Sequence, residues 1–208
     1  MTQDNLTAKQ LDYAVFLPAI SGFYATFVGK QRDPVNGPYV DPARMPAGIP
    51  DMEMMNWLNS SKGLFPYKWS LYSGGHANLD LTKQDWSEDM VRNREPGTLM
   101  LGDSGGFQIA KGLWEGDWKA NSGCPKAQKK REAVLKWLDN ISDYCMTLDI
   151  PTWVIHDKKA SAACQISTLQ EAVDATKYNN EYFMANRKGK ANGGTKILNV
   201  LQLSLIHI

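Results

Sequence analysis

The side chains best suited to chemistry in this 208-residue chain sit together in Gly102-Asp103-Ser104-Gly105-Gly106-Phe107-Gln108. From Asp103 onward the run offers a carboxylate, a hydroxyl, two glycines, an aromatic ring and a carboxamide. A carboxylate held at the mouth of a fold can pass a proton to and from a bound group. Two more polar residues occupy a comparable place: Asp149 follows the apolar run Tyr144 to Leu148, and Gln202 follows Lys196 to Leu201. Plain structural roles compete with each. Asp-Ser-Gly-Gly also makes a tight turn in which Asp103 caps backbone amides, and Asp149 also suits a turn before Ile150-Pro151. The shared position of Asp103, Asp149 and Gln202, each just past an apolar strand, favours a site.

The elements that must carry these residues alternate from residue 67 onward. Tyr67 to Tyr72 is a β-rich run stopped by Ser73-Gly74-Gly75, and Thr98 to Leu101 is a short apolar strand entering the Asp103 loop. Asp85 to Asn93 is a polar helix candidate. Pro125 opens a helix whose Val134, Trp137, Leu138 and Ile141 share one face. Ser167 and Gln170 are placed as a capping box for a longer helix with Leu169, Val173 and Phe183 on its apolar face, and Gly189 as its stop. Strands alternating with helices predict an α/β fold with a parallel sheet, whose functional residues gather at the carboxyl ends of the strands. The lack of a glycine-rich dinucleotide fingerprint after a first strand favours the N-terminal part of a (β/α)8 TIM barrel over a doubly wound sheet. Before residue 67 the chain is rich in turn signals, among them Asp33-Pro34, Asn36-Gly37-Pro38 and Gly48-Ile49-Pro50, with a short helix expected over Met52 to Leu58, packed through Met55 and Leu58.

Composition narrows the classes. Hydrophobic residues make up 43% and charged residues 22%, an ordinary globular balance. Lys+Arg is 23 against Asp+Glu 22, so net charge gives no argument for or against a nucleic-acid partner. Cys124, Cys145 and Cys164 are too widely spaced for a disulfide framework or a zinc knuckle and read as reduced thiols. Met1 to Gln10 is polar and Tyr13 to Ile20 is broken by Pro18, so neither a leader nor a membrane span is expected, and the reading is cytoplasmic. His76 and His156 read as ordinary polar residues, Trp114 and Trp118 as cover for the loop between them, and Lys126, Lys129, Lys130 and Arg131 as the solvated start of a helix. The terminal Leu203-Ser204-Leu205-Ile206-His207-Ile208 is what the common transposase adapter CTGTCTCTTATACACATC encodes in frame. Residues 203–208 are therefore expected to be an adapter artefact and 1–202 an incomplete barrel domain, and His207 carries no functional weight.

Two families compete for the central motif. Gly102-Asp103-Ser104-Gly105-Gly106 resembles the nucleophile loop of trypsin-like proteases. That reading needs an upstream histidine in a suitable context, two antiparallel barrels and disulfides; only His76 is available, and the reading is rejected. The longer Asp103-Ser104-Gly105-Gly106-Phe107-Gln108, following an apolar strand, resembles the tRNA-guanine transglycosylase (queuine tRNA-ribosyltransferase) superfamily. These enzymes are (β/α)8 barrels that exchange guanine for a 7-deazaguanine base. Met146-Thr147-Leu148-Asp149 is similar to the family's strand ending in a base-recognising Asp. Val200-Leu201-Gln202 is similar to its strand ending in a base-contacting Gln, with Leu203 where the family has Gly. The resemblance runs over roughly residues 98–202.

The resemblance implies a set of roles. Asp103 is the acid/base for the departing and arriving base. Asp149 accepts from the adjacent N1–H and exocyclic amine of guanine. Gly105 and Gly106 let backbone approach the flat base, Phe107 stacks on it, and Ser104, Gln108 and Gln202 contact its edges. The implied chemistry has two displacements at the sugar carbon with a covalent glycosyl-enzyme between them. The family's nucleophilic Asp and its structural zinc site lie beyond Gln202, so no cofactor is expected in this chain, and the chain alone is expected to be inactive. Phe16-Leu17-Pro18 and Tyr72-Ser73-Gly74-Gly75, with long loops between, look more like the divergent phage and bacterial branch that inserts 7-deazaguanines into DNA. Asp149-Ile150-Pro151 also departs from the Asp-Glu pattern of the tRNA enzymes. The implied partners are DNA, ahead of tRNA, a base such as 7-cyano-7-deazaguanine, and a second copy of the chain as a homodimer. A tRNA enzyme of queuosine or archaeosine synthesis, and a non-catalytic nucleic-acid-binding subunit, stay open as alternatives.

Overall fold

The computed structural model describes residues 14–29, 35, 39–82, 88–189 and 192–201. The expected contacts of Gln202, the proposed adapter tail and residues 85–87 of the expected Asp85–Asn93 helix lie outside the described residues; within the rest of that range a helix spans Asp89–Arg92. Four strands, β1 (Trp69–Ser73), β2 (Leu99–Asp103), β3 (Tyr144–Met146) and β4 (Lys196–Leu198), form one parallel sheet in chain order. The α/β expectation therefore holds. In β1 Ser70 and Tyr72 are buried while their neighbours are half-buried, the period of two that a pleated strand imposes. β3 and β4 are shorter than their apolar runs, but pairing continues past them: Thr147 N donates to Leu198 O (3.1 Å) and Val200 N to Thr147 Oγ1 (2.8 Å).

Helices among the described residues are α1 (Gly22–Phe27), α2 (Asp89–Arg92), α3 (Gly106–Ala110), α4 (Pro125–Ile141), α5 (Lys158–Cys164) and α6 (Leu169–Asn186). Short 3-10 turns cover Pro42–Arg44, Met52–Met55 and Thr152–His156. The Met-rich helix is thus only a turn; Leu58 is buried as expected, and Met55 only half-buried. In α4, Pro125 occupies the first turn, where its missing N–H costs nothing, and Val134, Trp137, Leu138 and Ile141 are buried.

Two details of the helices differ from expectation. The capping box of α6 is Thr168 with Glu171, one residue later than Ser167 with Gln170. A carboxylate is the stronger acceptor for the free amides, and Glu171 takes up both Ser167 N (2.8 Å) and Thr168 N (3.1 Å). The buried face of α6 shifts with it, to Ala172, Ala175, Thr176, Asn179 and Phe183, leaving Leu169 and Val173 half-buried. Arg131, expected in solvent, is only 3% exposed. It lies three residues before Val134 on the buried stripe of α4; its Nε donates to Asn179 Oδ1 (2.7 Å), and its guanidinium lies over the rings of Trp118, Tyr178 and Tyr182.

The chain divides into two compact units, one of residues 1–72 and 76–101, the other of residues 73–75 and 102–208. The first has a core of Ile20, Val28, Trp57, Leu58, Tyr72, Met90 and Met100, and the second one built on Ile109, Trp118, Trp137, Leu138, Leu148, Ile150 and Phe183. In the first, residues 18–20 run beside β1, with Leu71 N donating to Pro18 O and Ile20 N to Leu71 O. No helix among the described residues is long and apolar enough to cross a membrane.

Candidate functional site

All the described site residues belong to the second unit, where three strand ends meet. β1 ends in Ser73-Gly74-Gly75 and β2 in Asp103-Ser104-Gly105-Gly106, two similar loops side by side. Gly74 N donates to Asp103 O (2.8 Å), and Ser73 Oγ donates to Asp103 Oδ2 (2.6 Å). Ser73 Oγ also accepts from Gly75 N (3.1 Å), which fixes the hydroxyl rotor so that its proton points at the carboxylate. Asp103 is thus half-buried and oriented through one oxygen. Sequence reasoning gave Ser73 no role. The signal was present in the repeat of a small-residue loop after each of two adjacent strands.

Ser104 is fully buried, and its Oγ donates to Thr147 O at 3.0 Å. That bond ties the end of β2 to the end of β3 and commits the hydroxyl proton to a backbone carbonyl, not to a base. Ser104 thus joins the two loops from inside the core.

The glycines are explained by packing within the protein. Gly105 adopts φ +86°, which favours glycine, and any Cβ there would press on the Gly75 backbone and the Trp114 ring (both 2.8 Å). Gly106 begins α3, and a Cβ on it would collide with the carboxylate and carbonyl of Asp149. The absence of a side chain at 106 is therefore what brings the Asp103 loop against Asp149. Asp149 is half-buried, and the chain just beyond it is anchored where Ile150 N donates to Thr176 Oγ1 (2.9 Å).

Gln108 and Phe107 point to different environments. Gln108 is buried with its amide packed against Gly75, and its Oε1 has no hydrogen-bond partner. Phe107 is 55% exposed, its ring 5.9 Å from that of Trp153. Gly75, Asp103, Gly106, Gln108 and Asp149 thus cluster around the ends of the first three strands. No protein-family model, curated protein or solved structure matches the chain. What the site can do therefore rests on its chemistry and on the motif.

Other features lie apart from this cluster. A cavity of about 330 Å3 in the first unit is walled by Phe27, Tyr39, Met45, Met52, Glu53 and Lys62 and includes none of the strand-end residues. Among the described residues no three His, Cys, Asp or Glu side chains gather as a metal site requires. All three cysteines are free thiols. Burial pushes Cys145 up to about 11 and raises Cys164 as well, whereas backbone N–H groups of Ala127 and Asp117 lower Cys124.

Proposed function

We propose that this chain is the N-terminal part of a guanine transglycosylase that exchanges guanine in a polynucleotide, DNA ahead of tRNA, for a 7-deazaguanine base. The observation that carries the reading is the contact of the Asp103 loop with Asp149 through Gly106, at the carboxyl ends of adjacent strands in a parallel sheet. Parallel α/β folds place their active sites at that end. The unbroken strand order β1-β2-β3-β4 suits the first strands of a (β/α)8 barrel, because a doubly wound sheet reverses direction at a switch point.

In this reading a flipped guanine lies against the Gly105-Gly106 backbone and Phe107, and Asp149 accepts its N1–H and amine protons. An attacking carboxylate, expected beyond Gln202, forms a bond to the sugar C1′ as the C1′–N9 bond breaks. Asp103 delivers a proton to the departing guanine, then takes one from the incoming deazaguanine, which displaces the carboxylate and restores the enzyme. Ser73 supports the first half of that cycle by holding Asp103 in place. Gln108, packed against Gly75, keeps its buried Oε1 as an acceptor beside the same loop.

The test is to resequence the gene across codon 202, express it whole, and digest cellular DNA and tRNA for mass spectrometry of deazaguanine nucleosides. Modified DNA with unmodified tRNA is the expected result. Modified tRNA alone transfers the activity to the tRNA branch, and unmodified DNA and tRNA overturn the enzyme reading.

A further inference from the structure

At the edge of the base cluster, Phe107 forms an exposed surface with Lys111 and Trp153, two residues that the base exchange does not use. Phe107 and Lys111 are one helical turn apart at α3, with Lys111 N donating to Phe107 O (2.9 Å). Trp153 stands in the 3-10 turn Thr152–His156, four residues after Asp149. The two rings lie 5.9 Å apart at 57°, and Lys111 Nζ sits 5.5 Å from the Phe107 centroid and 5.1 Å from that of Trp153. Phe107 is 55% and Trp153 39% exposed, so two large rings stay partly in water. Neither Trp153 nor Lys111 is needed for the chemistry at the exchanged base.

We propose that Trp153 and Lys111 seat the nucleotide next to the exchanged one, Trp153 stacking on its base and Lys111 binding the phosphate between the two. This deepens the transglycosylase reading and rests on it for the identity of the base on Phe107. The geometry fits consecutive nucleotides that have left a duplex stack. Stacked bases rise about 3.4 Å per nucleotide along a strand, whereas these rings are 5.9 Å apart and tilted. Two bases lying on them are already unstacked, as base flipping demands. Lys111 Nζ stands at nearly equal distance from the two rings and to one side of both, where the linking phosphate of such a dinucleotide falls. Without nucleic acid its ammonium rests on the ring faces by cation–π attraction. A purely apolar partner would strip water from that ammonium and give it no counter-charge; a strand supplies both the flat faces and the anion.

The experiment uses the protein from its whole gene and a fluorescein-labelled single-stranded DNA 12-mer containing one guanine, read by anisotropy at several salt concentrations. Trp153→Ala is expected to weaken binding about 10-fold, and Trp153→Phe to restore most of it. Lys111→Met is expected to weaken binding and to reduce the slope of log K on log salt by about 0.7, the value for one phosphate contact on a single strand. Affinity for free 7-cyano-7-deazaguanine should stay at the wild-type value in all three. Wild-type oligonucleotide affinity in both Trp153→Ala and Lys111→Met overturns the proposal, as does loss of free-base affinity in step with oligonucleotide affinity, or a wild type that binds no oligonucleotide. The failures separate: Trp153-dependent binding without any base exchange leaves the seat standing and removes the exchange reading. Base exchange that is indifferent to Trp153 and Lys111 does the reverse.

Discussion

Glu88, in the first unit, and Asp103, in the second, are both acidic residues close to the sheet, yet their surroundings have opposite character. Glu88 is buried and enclosed: it accepts from Tyr72 Oη (2.9 Å) and from the backbone N–H of Asn78, and it pairs with Arg92 (3.2 Å). Burial, with the Glu88 charge next, drives the Tyr72 phenol far above its ordinary range, so it remains a donor. Glu53 in the same unit is likewise buried, its Oε1 shared by Asn56 (3.0 Å) and Asn59 (2.8 Å). Asp103 and Asp149, by contrast, are half-buried at strand ends. The first unit is short of regular structure, and buried polar networks fix its turns; the second has long helices to hold it, and its two strand-end carboxylates are only half-buried.

The sharpest way to break this contrast is to remove Glu88. Glu88→Ala leaves Arg92, Tyr72 and the Asn78 amide facing a buried hole and should cost about 3–5 kcal/mol in urea unfolding. A loss no greater than that of a surface substitution would show that the network is not structural.

Next in size is Gly106→Ala, whose Cβ cannot coexist with Asp149 as placed. A destabilisation of about 1–3 kcal/mol is expected, with loss of free-base affinity. An unchanged unfolding midpoint with full affinity would mean that the two loops do not meet.

The smallest effect belongs to the start of α6. Amide and hydroxyl donors from Ser167, then the Lys119 ammonium, hold Glu171 down to about 2. Its pKa is lower folded than unfolded, so its contribution is complete above the ordinary carboxylate range near 4.5 and disappears as pH falls through about 2. Thr168→Ala should cost about 1 kcal/mol at pH 7. Glu171→Gln should flatten the acid limb of a stability–pH curve between about pH 4.5 and 2. An unaltered acid limb would remove the capping box from the account.

These contrasts also explain how far the sequence could be read. Pro125 and the spacing of Val134, Trp137, Leu138 and Ile141 were enough to place α4, because a proline and a periodic face act locally. Arg131 is buried because that face extends one more turn back to residue 131, inside a run of charges that otherwise suits solvent. The cap of α6 offered two overlapping patterns one residue apart, and the difference between Gln170 and Glu171 as acceptors decided it. At the site, Asp103 and Asp149 were legible from their places after apolar runs. Their meeting through Gly106, the Ser73 hydroxyl on Asp103 and the Phe107–Trp153 contact all join residues distant in sequence, and no local period encodes them. At Gly105 and Gly106 the space a Cβ would take is filled by Gly75, Trp114 and Asp149, neighbours that no local pattern announces.

The central claim is that Asp103 serves chemistry where Glu88 serves stability, and one paired measurement tests it. Whole-gene wild type and Asp103→Asn are compared for deazaguanine nucleosides in cellular DNA by mass spectrometry, and the purified proteins for their urea unfolding. Modification is expected to fall to background in Asp103→Asn while stability changes by no more than about 1.5 kcal/mol. Wild-type levels of modified nucleoside in Asp103→Asn would contradict it.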